Sequence, residues 1–558
     1  MADPKQSSPR TEQSAPRSEP SPPRCQHVFD PDERPQTNPD NYESITDDDG
    51  EWHCPHPAAD GGYCHFHGDP TETDPETVAD AFRHAVADEA RPNEFLDAHL
   101  GGLDLAYVVV EGPTNRPIDL RATRVEADVN LDHATVEQRI RLDDARIEGK
   151  FRCRRATFDQ ILSSERATFA DDVDFRDTQF DREVYLSAAT ITGRCQWFGA
   201  TFSAGVFCNL TTFEELNAHV TEYGDTADFS ETTVENAQFS RATFHGEVRF
   251  HDATFESASF AGIRCHDLAY FDRIAAPERL SFDAATFHDV LALEDLRPAE
   301  SGTTVGLRNA EVATGRLYEP AEGDLVYDLR DATVGDIELG DDSSTVDLNR
   351  YRFLDTTFDG FDFGTHRDQL AAVDWRLDDT GDPLRTPSSE PDDFDPSPGD
   401  LESTFLKAKN GANQVGDTAA AAEFFRLEML FRRRSHGQIV RHGGRSLSHR
   451  VVSVGRWIGN LLLSLTAGYG ERPSRVVATA VATVAVFTVG FWALLGRPPH
   501  GHPLGYLVVS LESFLTLVLA GGAPISNPWI RLFALVEGFV GAFLVALFVF
   551  TLTRSIHR

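Results

Sequence analysis

Eight thiol and imidazole side chains crowd into a short N-terminal stretch: Cys25, His27, His53, Cys54, His56, Cys64, His65 and His67. These are the donor types that suit tetrahedral Zn²⁺, and Cys25, Cys54, Cys64 and His67 make a Cys₃His set that would close a structural site. A bound metal would also order residues 25–68, which are otherwise polar and rich in Pro and Gly. A catalytic zinc needs an open coordination position inside a cleft, which this segment cannot build alone. The interval from Cys25 to Cys54 is long and there is no Cys-x-x-Cys pair. A second reading therefore stands beside zinc, in which these are free thiols and imidazoles on a flexible arm.

Other candidates are carboxylates. Asp171/Asp172 and Asp341/Asp342 could do acid/base work as pairs, but in a repetitive acidic segment such pairs read as solvated charge. There is no nucleophile elbow, phosphate loop or dinucleotide fingerprint, so the expectation is a protein that is not an enzyme. Glu512 and Glu537 stand in apolar segments, where an ionisable side chain is costly and by default points to function. The alternative for each is a protonated or paired structural carboxylate.

The elements that carry these residues fall on either side of a sharp seam. The chain of 558 residues has a formal charge of −38, yet from Leu401 onward Lys and Arg outnumber Asp and Glu by 16 to 7. All the excess acidity thus belongs to the first 400 residues, which lack the clustered Lys and Arg that phosphate contacts need, so nucleic acid is not expected as a partner. Seven cysteines in a chain of this length, without a recognisable secretory signal, fit a reducing compartment. Residues 1–24 read as a disordered leader of Pro, Ser and charge.

From Leu120 a hydrophobic beat sets in, with steps of five and six alternating through Val125, Leu131, Val136, Leu142, Ile147, Cys153 and Phe158 and on to Phe213. A second small or branched residue sits two positions earlier each time, as in Ala134, Ile140, Ala145 and Phe151. The beat slips near Glu222 to Asp228, resumes at Phe239 and runs in weaker copies to Phe363. A period of about eleven also fits a right-handed coiled coil, but Thr, Val, Phe, Asp and Gly dominate here, which disfavours helix. Inward pairs separated by polar turns suit a solenoid whose rungs bury their faces on one another. On that reading Cys153, Cys195, Cys208 and Cys265 act as small hydrophobes in the stack.

Arg155-Ala156-Thr157-Phe158, Arg166-Ala167-Thr168-Phe169, Gly199-Ala200-Thr201-Phe202, Arg241-Ala242-Thr243-Phe244 and Asp252-Ala253-Thr254-Phe255 carry a resemblance to the pentapeptide-repeat family. That resemblance implies a mainly β fold, a right-handed quadrilateral β-helix over residues 103–363. The scarcity of Lys beside abundant Asp and Glu resembles proteins of salt-loving archaea, whose acidic surfaces stay soluble where salt screens charge.

Residues 386–400 read as a Pro/Asp/Ser linker. Residues 401–440 read as a helical hairpin, with Asp417 as N-cap and Phe424, Leu427, Leu430 and Phe431 at helical spacing. Residues 451–470 read as an interfacial helix. Val476 to Leu495 and Ile530 to Leu552 are each long enough to cross a bilayer, and together they bound a domain over 476–552. Between them Leu504 to Leu519 is apolar but too short to cross. Arginines cluster before the first span and after the second, so the positive-inside rule puts both termini in the cytoplasm of a cell-membrane protein.

The order span, short helix, loop, span resembles the two-transmembrane potassium-channel module. Ser510-Leu511-Glu512-Ser513-Phe514-Leu515-Thr516-Leu517 resembles its pore helix, and Glu537-Gly538-Phe539-Val540-Gly541 its inner helix. The resemblance implies a homo-tetramer in the lipid bilayer conducting a monovalent cation, with Gly538 and Gly541 as an inner-helix hinge. In that family a Thr-Val-Gly-Tyr-Gly loop offers its carbonyls to the ion. The matching positions are Thr516, Leu517, Val518, Leu519 and Ala520, followed by Gly521 and Gly522, so the filter is degenerate. A non-conducting tether is the alternative, and no feature of the sequence names a protein partner for the β-helix.

Overall fold

The structure is a computed structural model that describes residues 23–34, 37–59, 61–71, 73–112, 116–340, 346–377, 396–441, 455, 457, 459–461, 465–466, 473–497, 502–519 and 527–556. The repeat region is a β-solenoid of about 11 turns, and helices follow it. The chain divides into two compact units, Met1–Gln238 and Phe239–Arg558.

In the first unit the early coils contribute four two-residue strands each, for example Thr157–Phe158, Leu162–Ser163, Thr168–Phe169 and Val173–Asp174, and from Thr190 two of the faces run together as longer strands, Thr190–Gln196, Thr212–Asn217 and Thr233–Gln238. Strands pair in parallel with those one coil away, so that Thr157 faces Gln179 and Ile140 faces Leu162. The eleven-residue sequence period is thus half a coil, and the two beats within it are two faces. One inward column runs Val136, Phe158, Phe180, Phe202, Tyr223, and its last four rings stack with centroids 5.0, 5.0 and 5.4 Å apart. Parallel strands buried on one face need this continuous apolar edge, because each rung can bury itself only against its neighbours.

The corners explain the residue that precedes each Ala-Thr-Phe triplet. Ala122, His133, Asp144, Arg155, Arg166, Asp177 and Ala188, eleven apart, all take left-handed φ values between +53° and +61°. Glycine fills this position only at Gly199 and Gly262 in the regular series, so most corners carry a strain of about 1 kcal/mol that packing must offset. Outside the corners, ion pairs join successive coils. Arg154 pairs with both Asp132 and Asp174, and Asp172 lies 3.1 Å from Lys150 and 3.4 Å from Arg194.

The expected slip at Glu222 to Asp228 does not occur. Glu222 and Tyr223 pair with Thr201 and Phe202, and Ala227 and Asp228 with Val206 and Phe207. The one-residue offset arises upstream, as a register shift between Ile191 and Arg194 in the pairing of Thr190–Gln196 with Thr212–Asn217, so the side-chain partners Gln196 and Asn217 are 21 apart where earlier rungs are 22 apart. Tyr223 and Phe229 continue the stack, both fully buried. Ahead of the solenoid lies α1, Pro75–Ala87, a helix unassigned by the sequence reading, whose buried Val78, Ala79, Phe82, Ala85 and Val86 make one apolar face.

In the second unit Phe239, Phe260 and Phe282 stack at 5.2 Å, with Phe250 and Phe271 in a neighbouring column at 5.0 Å. The last strands, Tyr351–Arg352 and Thr357–Phe358, precede a short helix α2, Arg367–Ala372. The final rung is then covered by a hairpin of α3, Pro398–Gln414, and α4, Thr418–Arg441. Residues 398–400, read from sequence as the end of a linker, are the first turn of α3, locked by a capping box between Ser397 and Asp400. Asp417 caps α4 by accepting from the backbone N–H groups of Ala419 and Ala420.

Three further helices close the chain: α5, Pro473–Leu495, α6, Gly505–Leu519, and α7, Pro528–Ile556. At 1.5 Å per residue α6 is about 22 Å long, short of a bilayer core. The residues read as an interfacial helix over 451–470 lie largely outside the described residues.

Candidate functional sites: a thiol–imidazole cluster and an apolar bundle

Residues 25–68 are held together by a short antiparallel pair, Val28–Phe29 with Trp52–His53, and by contacts to the first coils. The expectation of a segment with nothing to bury is corrected here: Phe29, Tyr42, Trp52 and Phe66 are all buried. Trp52 donates its indole N–H to Glu94 at 2.9 Å, and the Tyr42 hydroxyl donates to Asp144 at 3.0 Å. The Phe66 carbonyl accepts from the His99 N–H at 2.8 Å, where the first rung begins. The segment is therefore the N-terminal cap of the solenoid, covering backbone edges that would otherwise stand open.

At its centre Cys25, Cys54, Cys64 and His67 are all buried, with one donor atom from each lying within 4.8 Å of the others. The Cys54 and Cys64 sulfurs are 3.8 Å apart, and His67 Nδ1 lies 3.1 Å from Cys64 Sγ and 4.0 Å from Cys25 Sγ. A tetrahedron with Zn–S bonds of about 2.3 Å has edges of about 3.8 Å. His67 Nε2–H donates to the Leu96 carbonyl at 2.8 Å, which leaves the Nδ1 lone pair aimed at the three sulfurs. Without a cation the cluster shares charge internally. The hydrogen bond with Cys54 draws the Cys64 thiol well below the usual thiol range, burial opposing and His67 assisting, while the same bond pushes Cys54 up. Burial would lower His67, but hydrogen bonds to Cys25 and Cys64 hold it up at about 9.

The other imidazoles of the segment are engaged elsewhere. His56 Nε2 bonds to the Glu94 carbonyl at 2.8 Å, His27 stacks on His67 at 4.1 Å, His53 lies 3.3 Å from Asp47, and His65 is exposed. In the solenoid Cys153, Cys195, Cys208 and Cys265 have no exposed surface, and burial pushes every one of these thiols up. Asp172 is held by Lys150 and Arg194, while Asp341 and Asp342 lie outside the described residues.

The apolar bundle places its polar residues sparingly. α5 and α7 are each long and apolar enough to cross a membrane, and only 17% and 22% of their most apolar windows are buried. Val481, Val489 and Trp492 of α5 and Trp529, Phe539 and Phe550 of α7 stand exposed. α6 packs against both: Phe514 joins Val476, Val484 and Leu544, and Tyr506 and Val509 join Phe491 and Ile530. Gly541 lies where a Cβ would overlap the Phe514 carbonyl, so it permits the close approach of α7 to α6, and α7 runs as continuous helix through Gly538 and Gly541.

Glu537 is fully buried in this bundle and Glu512 is exposed on α6. Ser510, which sequence reasoning placed only as part of the short helix, donates or accepts at Glu537 Oε1 and lies 3.0 Å from the Val484 carbonyl. Its signal was a hydroxyl in an apolar helix, which needs a partner. Thr516, Leu517, Val518 and Leu519 are the helical last turn of α6. Ala520, Gly521 and Gly522 lie outside the described residues.

Residues 225–274 match a family model described as pentapeptide repeats (9 copies). This agrees with the coils of the β-solenoid described above, in which residues 225–274 lie. No curated protein and no solved structure matches the chain.

Proposed function

We propose that this chain is an integral membrane protein in which α5 and α7 cross the bilayer, α6 enters it without crossing, and the acidic solenoid stands in the cytoplasm as a binding module. The observation that carries the reading is the exposure of α5 and α7: a soluble core helix of that apolarity would be mostly buried, whereas these keep about four-fifths of their apolar windows uncovered. The arginines at 432–434 and 472 before α5 and at 475 in its first turn, and those at 554 in the last turn of α7 and at 558 after it, favour the cytoplasmic placement. The expected outcome is recovery in the membrane fraction after alkaline carbonate washing, and protection of the solenoid from protease added to intact cells. Recovery in the soluble extract would overturn the reading.

In the N-terminal cap Cys25, Cys54, Cys64 and His67 would hold one Zn²⁺. Its chemistry there would be structural, since four protein donors leave no open position. His67 is oriented for that role by Leu96, and the donor set suits zinc over the hard, oxygen-seeking cations.

A second reading is favoured by the short α6 lodged between two long helices. Four copies would then surround a cation pore, with the solenoid as its regulatory module. Cross-linking in native membranes to a tetramer, with salt-dependent conductance in planar bilayers, would support this reading over a silent tether.

A further inference from the structure

The carboxyl of Glu537 poses a problem of proton bookkeeping. It has no exposed surface, no ion pair reaches it among the described residues, and its Oε2 has no hydrogen-bond partner. Among the described residues its hydrogen-bond partner is the Ser510 hydroxyl, which touches Glu537 Oε1 on one side and the Val484 carbonyl on the other. A serine hydroxyl has a single proton, a backbone carbonyl only accepts, and an ionised carboxylate only accepts. With an ionised Glu537 both neighbours of Ser510 compete for one proton, and a charge is left in the apolar interior with at most one donor.

We infer that Glu537 is a proton-binding site of the bundle: the carboxylic acid donates to Ser510 Oγ, and Ser510 donates to the Val484 carbonyl. This chain of donors satisfies every polar atom of the three residues except Oε2, which as a neutral carbonyl oxygen is far less costly to bury than half of a charge. α5, α6 and α7 supply one link each, through Val484, Ser510 and Glu537. Among the described residues the hydrogen-bonding groups linked to the acid from α5 and α6 are the Ser510 hydroxyl and, through it, the Val484 carbonyl, which also accepts from the Thr488 hydroxyl; none of these titrates. Loss of the proton would leave Ser510 with one proton for two acceptors, Val484 O and Glu537 Oε1, so one of the two links from α6 is lost and the occupancy of this site by a proton sets how tightly the short helix is held.

The inference rests on the bundle described above as the membrane segment. Membrane partition is scored separately by fractionation, so failure of one is distinguishable from failure of the other. The probe is dicyclohexylcarbodiimide, an apolar reagent that reacts with neutral carboxyls. The acid proton passes to one carbodiimide nitrogen while the carboxyl oxygen adds to the central carbon, and the O-acylisourea rearranges to a stable N-acylurea with no atom lost.

Full-length protein in native membranes at neutral pH is treated with the reagent, digested and read by mass spectrometry. Infrared difference spectra between wild type and Glu537→Gln are recorded in parallel. Glutamine keeps the donor to Ser510, so this variant is expected to retain the fold, to lose the adduct, and to lose one protonated-carboxyl stretch. A water-soluble carbodiimide is expected to leave Glu537 unmodified. If wild type shows no protonated-carboxyl band that disappears in Glu537→Gln, the acid is ionised and the inference is overturned, whether or not the reagent reaches it.

Discussion

The two caps of this protein solve one problem by different means. A solenoid ends in unpaired strand edges, and each end must be covered. The N-terminal cap, residues 25–68, does so with little secondary structure, a few aromatics and a cluster of three thiols and an imidazole. The C-terminal cap uses two full helices. Phe424 packs on Phe363 at 4.8 Å, and Thr404, Ser403 and Lys407 of α3 bind the backbone and carboxylate of Asp355. The buried Glu428 carboxylate of α4 pairs with Lys409 of α3 at 2.7 Å and with Arg432 of its own helix at 2.8 Å, and Arg432 in turn reaches Glu402 of α3 at 2.7 Å. A cap with enough apolar area can stand on packing and paired charge. One without it depends on a few strong bonds, so its stability is conditional on what fills them.

The largest expected effect breaks the N-terminal cap alone. Structural zinc sites carry apparent energies of about 10–16 kcal/mol. Chelation or Cys64→Ser is thus expected to strip hydrogen-exchange protection from residues 25–68 and the first coil while leaving α3 and α4 protected. A chelator without effect would remove the metal and make the two caps alike. The converse test is Phe424→Ala, expected to cost about 3–5 kcal/mol and to release α3, α4 and the strand Thr357–Phe358 with the N-terminal cap intact. Differential scanning calorimetry with exchange mapping distinguishes the two.

A smaller effect tests charge inside the rungs. Asp328 is 1% exposed; burial would raise its pKa, but hydrogen bonds from Arg330 and Arg308 win and hold it below the usual range. A depressed native value means stability that is full above the unfolded pKa and is lost as pH falls through the folded one. Asp328→Asn should cost about 2 kcal/mol at neutral pH and make urea midpoints less steep in acid. The smallest effect has the opposite sign. Val220 is a β-branched residue at φ +59°, so Val220→Gly is expected to raise stability by about 1 kcal/mol without touching either cap.

The solenoid could be read from sequence because its inward residues repeat at a fixed interval and their types exclude helix. The four donors of the cluster were also legible as residue types, but not their convergence, which depends on Leu96 and Glu94 of the first coil. α1 went unassigned although Asp74-Pro75 and the spacing of Val78, Phe82 and Val86 mark a helix start and an apolar face. The false slip at Glu222 arose because a one-residue register shift between Ile191 and Arg194 leaves the pairing on both sides intact, so periodicity broke in the numbering and not in the packing. The Ser510 contact with Glu537 was invisible because it joins different helices.

That register shift has a consequence for how such chains change over generations. Pairing resumes on both sides of the bulge, so an indel absorbed between two paired stretches is nearly silent, while one landing inside a paired stretch turns every following side chain inside out. Duplication or loss of an entire 22-residue coil falls in the silent class. Genes for proteins of this kind should therefore vary in whole coils, with both ends conserved as fixtures and the number between them free to drift.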